Sequence, residues 1–212
     1  MIKRTSINTI NKTIQKNLEW KVLDIGCGYT ANKNATVIAD VQDLSNFYLN
    51  RTFIQITNKK LPFKDNEFDF VIASHVIEHI EDFGFFIREL ERISKKGYIE
   101  LPTRLGDNLI FENKSDHIWW FIFDDQIGKL IGSKRNQLVE PFMSVATGKI
   151  IDNYFRESMV LELYWEEKID YIIDDKIQNL NMEKLTFIKI VKKYFSKKIR
   201  VPISKLKNIF KN

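Results

Sequence analysis

The chain has 212 residues, 44% of them hydrophobic and 29% charged, enough for one substantial core and short for two. Its single cysteine, Cys27, excludes an intramolecular disulfide, and no apolar run approaches the roughly 20 residues that a membrane-spanning helix needs. The net charge of +5 conceals an asymmetry: residues 184–212 hold ten basic and no acidic residues, so residues 1–183 carry 23 basic against 28 acidic, which argues against a phosphate-tracking groove and against nucleic acid as substrate.

The N-terminal stretch MIKRTSINTINKTIQKN has no signal-like apolar segment, so a cytoplasmic, reducing setting is expected. A polar helix is predicted over about residues 5–18. The run Lys21-Val22-Leu23-Asp24-Ile25 then ends in Gly26-Cys27-Gly28, the pattern of a buried strand entering a tight turn. Further strands are predicted at Thr36–Ala39, which stops at Asp40, at Thr52–Ile56 and at Phe68–Ala73. Phe86, Ile87, Leu90 and Ile93 fall at helical spacing before a fifth strand, Gly97–Leu101. Met159–Trp165 and Lys168–Ile173, separated by Glu166-Glu167, are expected to pair antiparallel at the sheet edge. Strands alternating with crossovers imply an α/β fold, a Rossmann-like sheet that is mostly parallel with an antiparallel edge strand and helices on both faces. The distance from Gly28 to the second strand leaves no room for a full crossover helix.

Ligands of open α/β sheets collect beyond the carboxyl ends of the strands, which places Asp24, Gly26, Cys27, Gly28 and Asp40 at one crevice. Glycine lets the backbone approach a ligand closely, and two carboxylates suit a cationic, hydroxyl-bearing ligand: Asp40 for ribose hydroxyls, Asp24 near an amino group. A nicotinamide dinucleotide fits less well. Ala31 satisfies the G-x-G-x-x-G/A spacing, but Asn32-Lys33-Asn34-Ala35 does not read as the helix that would receive a pyrophosphate.

The ordered motifs Val22-Leu23-Asp24-Ile25-Gly26-Cys27-Gly28, Leu61-Pro62-Phe63 leading to Phe68-Asp69, and Ser74-His75-Val76-Ile77-Glu78-His79 resemble the class I S-adenosylmethionine-dependent methyltransferases over about residues 20–125. The resemblance implies S-adenosylmethionine as cofactor, with Asp40 at the acidic ribose position and Ser74 at the end of the fourth strand beside the donor. Two positions depart from the family. Thr30 replaces a usual third glycine, and Thr57 stands where an acid often meets the adenine amino group.

Methyl transfer to a hydroxyl needs alignment and removal of a proton, for which histidine is suited. His75 and His117 are the candidate bases, with Asp116 as a candidate orienting group for His117. His79 is read either as a structural member of the shared motif or as a substrate contact. Trp119 and Trp120 fit core, or a stacking surface for a sugar ring. No metal is expected, because the three histidines lack a carboxylate cluster and Asp124-Asp125 reads as a helix cap. In the tail, Phe187, Ile190, Val191, Tyr194 and Phe195 recur at helical spacing among lysines. Residues 1–183 are thus read as the methyltransferase domain and 184–212 as a basic amphipathic tail, which either contacts a membrane surface or packs on the domain or on a second subunit. The specific expectation is O-methylation of a sugar hydroxyl. The alternatives are another small molecule, RNA or protein as acceptor, and a catalytically silent binding module of the same fold.

Overall fold

The computed structural model describes residues 1–174, together with Val191 alone beyond them. In chain order the elements are β1 (Ile2–Arg4), α1 (Ile7–Lys16), β2 (Val22–Ile25), β3 (Val37–Asp40), β4 (Thr52–Gln55), β5 (Phe70–Ser74), a 3₁₀ turn (Ile77–His79), α2 (Phe83–Ile93), β6 (Lys96–Pro102) and α3 (Arg104–Leu109). There follow α4 (Asn113–Asp116), β7 (Trp119–Asp124), β8 (Lys129–Lys134), α5 (Val145–Met159), β9 (Val160–Glu166) and β10 (Tyr171–Ile173).

The main sheet runs β1-β9-β6-β5-β2-β3-β4, with β2 to β6 parallel and β9 antiparallel to both β6 and β1. Its central strands are mostly apolar because both faces are covered, with Asp24, Asp40 and Glu100 as the buried charged exceptions. On one face Ile10 and Ile14 of α1 pack with Val22, Ile38, Phe70, Ile72 and Tyr98. On the other, Phe83, Phe86, Ile87, Leu90 and Ile93 of α2 pack with Leu23, Ile25, Val37, Val71 and Ile99. Each helix begins at a side-chain cap, Ser6 accepting from Thr9 N and Asp82 from Phe85 N. No helix joins β2 to β3, as the short spacing predicts.

The antiparallel edge exists but is built differently from the expected hairpin. β9 pairs with β6 on one side, while on the other its edge is taken by β1, with Ile2 opposite Trp165 and Arg4 opposite Leu163. No edge remains for the following segment. The chain turns away at Glu167 (φ 63°), and β10 pairs in parallel with β8 in a second sheet of order β10-β8-β7. That sheet joins the core through Phe83, whose ring meets Trp119, Phe121 and Tyr171 edge-on at centroid distances of 4.8, 5.2 and 5.3 Å. The expected helix cap at Asp124 is instead the β7–β8 hairpin turn: its carboxylate accepts from Gln126 N and Ile127 N, and Gly128 takes φ +65°. No helix among the described residues is long and apolar enough to cross a membrane. The predicted basic tail lies, apart from Val191, outside the described residues.

Candidate active site

From β2 the chain proceeds to β3 and β4 in one direction along the sheet, and β5 and β6 extend it in the other. The crevice between β2 and β5 is therefore the switch point at which such sheets bind ligands. It opens beside the turn after Ile25. Gly26 (φ +69°) is fastened to β3 by Gly26 N donating to Ala39 O at 2.7 Å, and a Cβ there would collide with Val76. Gly28 (φ +48°) has open space where a Cβ would stand, so a ligand can lie directly against its backbone.

Asp40 secures this turn from the end of β3, accepting from Gly28 N at 2.8 Å and Gln42 N at 2.9 Å. Asp24 accepts from Asn32 N at 2.6 Å, and its burial pushes its carboxyl up to about 6. Cys27 is buried, which raises its thiol to about 12, so it lines the site without being a nucleophile. The missing crossover helix is replaced by a pinned loop. Tyr48 donates to Gly28 O at 2.8 Å and accepts from Ala31 N at 3.1 Å, while Arg51 donates to Asn32 O and Ala35 O at 2.9 and 2.6 Å. Sequence reasoning missed both, because each acts on a loop some 16 to 20 residues away.

Two cavities, of about 590 and 880 Å³, share Gly26, Gly28, His75 and His79 and so form one cleft. The larger holds Asp40 and Thr57 among apolar walls that include Ile56, Val76 and Phe86, a shape and chemistry suited to a flat base carrying a ribose. The smaller holds Asp24, Cys27 and Ser74, and then widens past Glu100 and His117 to a polar rim with Glu112, Lys149 and Asp152. The structure therefore brings the predicted cofactor residues and all three histidines to one cleft.

His75 lies at the end of β5 in left-handed backbone (φ 56°), its ring 44% exposed to the cleft. Nδ1 is 3.3 Å from Glu78 and Nε2 is 3.2 Å from Glu100. Burial lowers its pKa, but hydrogen bonds and charge from Glu100 and Glu78 outweigh that and raise it to about 10. Both ring nitrogens thus face carboxylates and the raised pKa favours the imidazolium, an arrangement that opposes the role of base expected from sequence.

Beneath it lies a network unseen in the sequence. Glu100 and Glu162 sit directly opposite each other on β6 and β9. Tyr98 donates to Glu100 at 2.5 Å, the same hydroxyl lies 3.0 Å from Glu162, and Arg156 lies 2.5 Å from Glu100 and 3.0 Å from Glu162. The guanidinium and phenol make this facing pair of carboxylates tolerable. The one available signal was a glutamate inside an otherwise apolar strand.

His117 is held differently. Its Nδ1 bonds the carboxylate of Asp107, which is fully buried on α3 and also accepts from Trp120 Nε1 at 2.5 Å and Arg135 Nε at 2.7 Å. A carboxylate accepts from Nδ1–H, so in the neutral imidazole Nε2 is the nitrogen that keeps a lone pair. Asp116, the expected orienting group, instead offers its backbone carbonyl to His79 Nδ1 at 2.9 Å. The alternative of Trp119 and Trp120 as stacking surfaces is overturned by burial: they are 6% and 4% exposed. The alternation of β7 turns Trp119 into the core, where its Nε1 donates to Ile80 O, and turns Trp120 toward Asp107.

A glycine turn and paired acids thus stand at the switch point of a Rossmann-like sheet. Residues 23–99 match the family described as a methyltransferase domain. An uncharacterised protein of Methanocaldococcus jannaschii is 33% identical over 114 residues, which are 50% of each chain, so the chain spans about half the length of this curated relative. Among solved structures, the PH0226 protein of Pyrococcus horikoshii is 18% identical over 76% of this chain and 89% of its own, with a TM-score of 0.42. A SAM-dependent methyltransferase of Aquifex aeolicus is 14% identical over 73% and 87%, with a TM-score of 0.38.

Proposed function

We propose that the protein transfers the methyl group of S-adenosylmethionine to a sugar hydroxyl, with His117 as the general base. The observation that carries this reading is the Asp107–His117 pair, whose histidine lines the same cleft as the Asp24, Gly26 and Gly28 turn. In the step, the acceptor oxygen attacks the methyl carbon in line, the S–CH₃ bond breaks with its electron pair left on sulfur, and the O–CH₃ bond forms. The hydroxyl proton passes to His117 Nε2, and Asp107 stabilises the resulting imidazolium. Asp40 and Thr57 meet the adenosine portion, Asp24 and Ser74 the methionine portion, and His79 the acceptor. A polyhydroxylated acceptor is supported by the mixed donors and acceptors of the outer cavity, among them Glu112, Asn113, Lys149 and Asp152. The acidic balance of residues 1–183 disfavours nucleic acid.

Methyl transfer to a panel of sugars tests this reading. His117→Ala should lower kcat by about 10²- to 10⁴-fold while leaving S-adenosylhomocysteine affinity unchanged, and a variant within a few fold of the parent would remove His117 from the reaction. The basic stretch 184–212 completes the proposal as a peripheral contact with anionic membrane. Its removal should abolish sedimentation with phosphatidylserine vesicles and spare transfer; retained sedimentation would reject the anchor.

A further inference from the structure

Glu78, His79 and His117 each present one ligand atom, and these atoms lie within 4.8 Å of one another; His79 lines both cavities and His117 the smaller. Glu78 is fully buried. Its Oε1 faces His75, but its Oε2 has no hydrogen-bond partner among the described residues, and an orphaned buried carboxylate oxygen is costly unless a ligand completes it.

The two imidazoles are prepared in the same way. Nδ1 of His117 is bound by the Asp107 carboxylate and Nδ1 of His79 by the Asp116 carbonyl, which assigns the proton to Nδ1 in both rings and leaves both Nε2 atoms as lone-pair donors. A carboxylate or carbonyl behind each ring is the usual support of a metal-ligating histidine. The rings meet at 87° with centroids 4.5 Å apart. Sequence reading expected no metal because it found no carboxylate to join the histidines; the 3₁₀ turn supplies one in Glu78.

We propose that Glu78, His79 and His117 bind a divalent transition-metal ion of the zinc and cobalt class, with its remaining positions open to the cleft. Two imidazoles and one carboxylate favour such ions over magnesium or calcium, which prefer all-oxygen sites. A bound ion occupies the His117 lone pair, so loading switches off proton transfer; that consequence rests on the reaction proposed above, whereas the site itself does not.

The test is titration of the full chain, freed of metal by chelation, with Co²⁺, read by its visible absorption. One equivalent should bind with the spectrum of a low-coordinate nitrogen and oxygen site. His79 is exposed, so His79→Ala should fold and bind Co²⁺ more weakly by at least about tenfold, and Glu78→Gln should do likewise while still binding S-adenosylhomocysteine. X-ray absorption of the zinc-loaded parent protein, which needs no variant, should show two imidazole ligands. Absence of saturable binding, unchanged affinity in His79→Ala, or a zinc shell without imidazole would overturn the proposal. None of these readouts involves methyl transfer, so their failure leaves the proposed reaction standing.

Discussion

In the proposed reaction Asp24 sets cofactor binding against stability. Burial raises its carboxyl to about 6, so the folded chain holds that proton more tightly than the unfolded chain does. Its stabilising contribution is complete below the ordinary carboxyl value near 3.8 and is lost as pH rises through about 6. Asp24→Asn keeps an acceptor for Asn32 N and removes the buried charge, so it should be more stable than the parent at pH 7.5 by on the order of 3 kcal/mol. The gain should vanish near pH 4 in urea denaturation, and the variant should lose cofactor affinity. Equal stability at both pH values would contradict the assignment. Asp24 and Asp40 were legible in the sequence because Asp40 closes one short apolar run and Asp24 stands two residues before Gly26, in the glycine turn that ends another. Asp107 was not. Its importance comes from α3 meeting His117, Trp120 and Arg135, a convergence that only tertiary packing creates.

The strands β2 to β6 were readable for the same physical reason: a strand covered on both faces needs a nearly continuous apolar run. Choice of partner was less accessible. The three residues of β1 carry too little pattern to announce a strand, yet by taking the free edge of β9 they send β10 to the other sheet. Facing strands also explain the charged layer under the cleft, where Glu100 opposes Glu162 and Arg156 bridges them. Arg156→Met should destabilise the fold by about 1 to 2 kcal/mol, less than a fully buried pair would lose because Arg156 is 35% exposed. His75, Tyr98 and Arg156 hold Glu100 below the ordinary carboxyl range against the opposing effect of burial. That contribution is present above about pH 4.5 and lost as pH falls through the lowered value. The deficit of Arg156→Met should accordingly be greatest at neutral pH and shrink in acid; a deficit independent of pH would argue for lost packing alone.

At the scale of the molecule, the main sheet brings the glycine turn and acids of its first half to one side of a cleft, and the segments after β6 bring His117 to the other. The first half was legible because its motifs are local and ordered; the acceptor side was not, since it is assembled from α3, α4 and α5 against the sheet. Binding of S-adenosylmethionine in this cleft is what the proposed reaction depends on most. Calorimetric titration with S-adenosylhomocysteine tests it without requiring any acceptor. Saturable one-to-one binding that disappears in Asp40→Ala is the predicted result, whereas a folded protein that binds neither donor nor product would contradict the account.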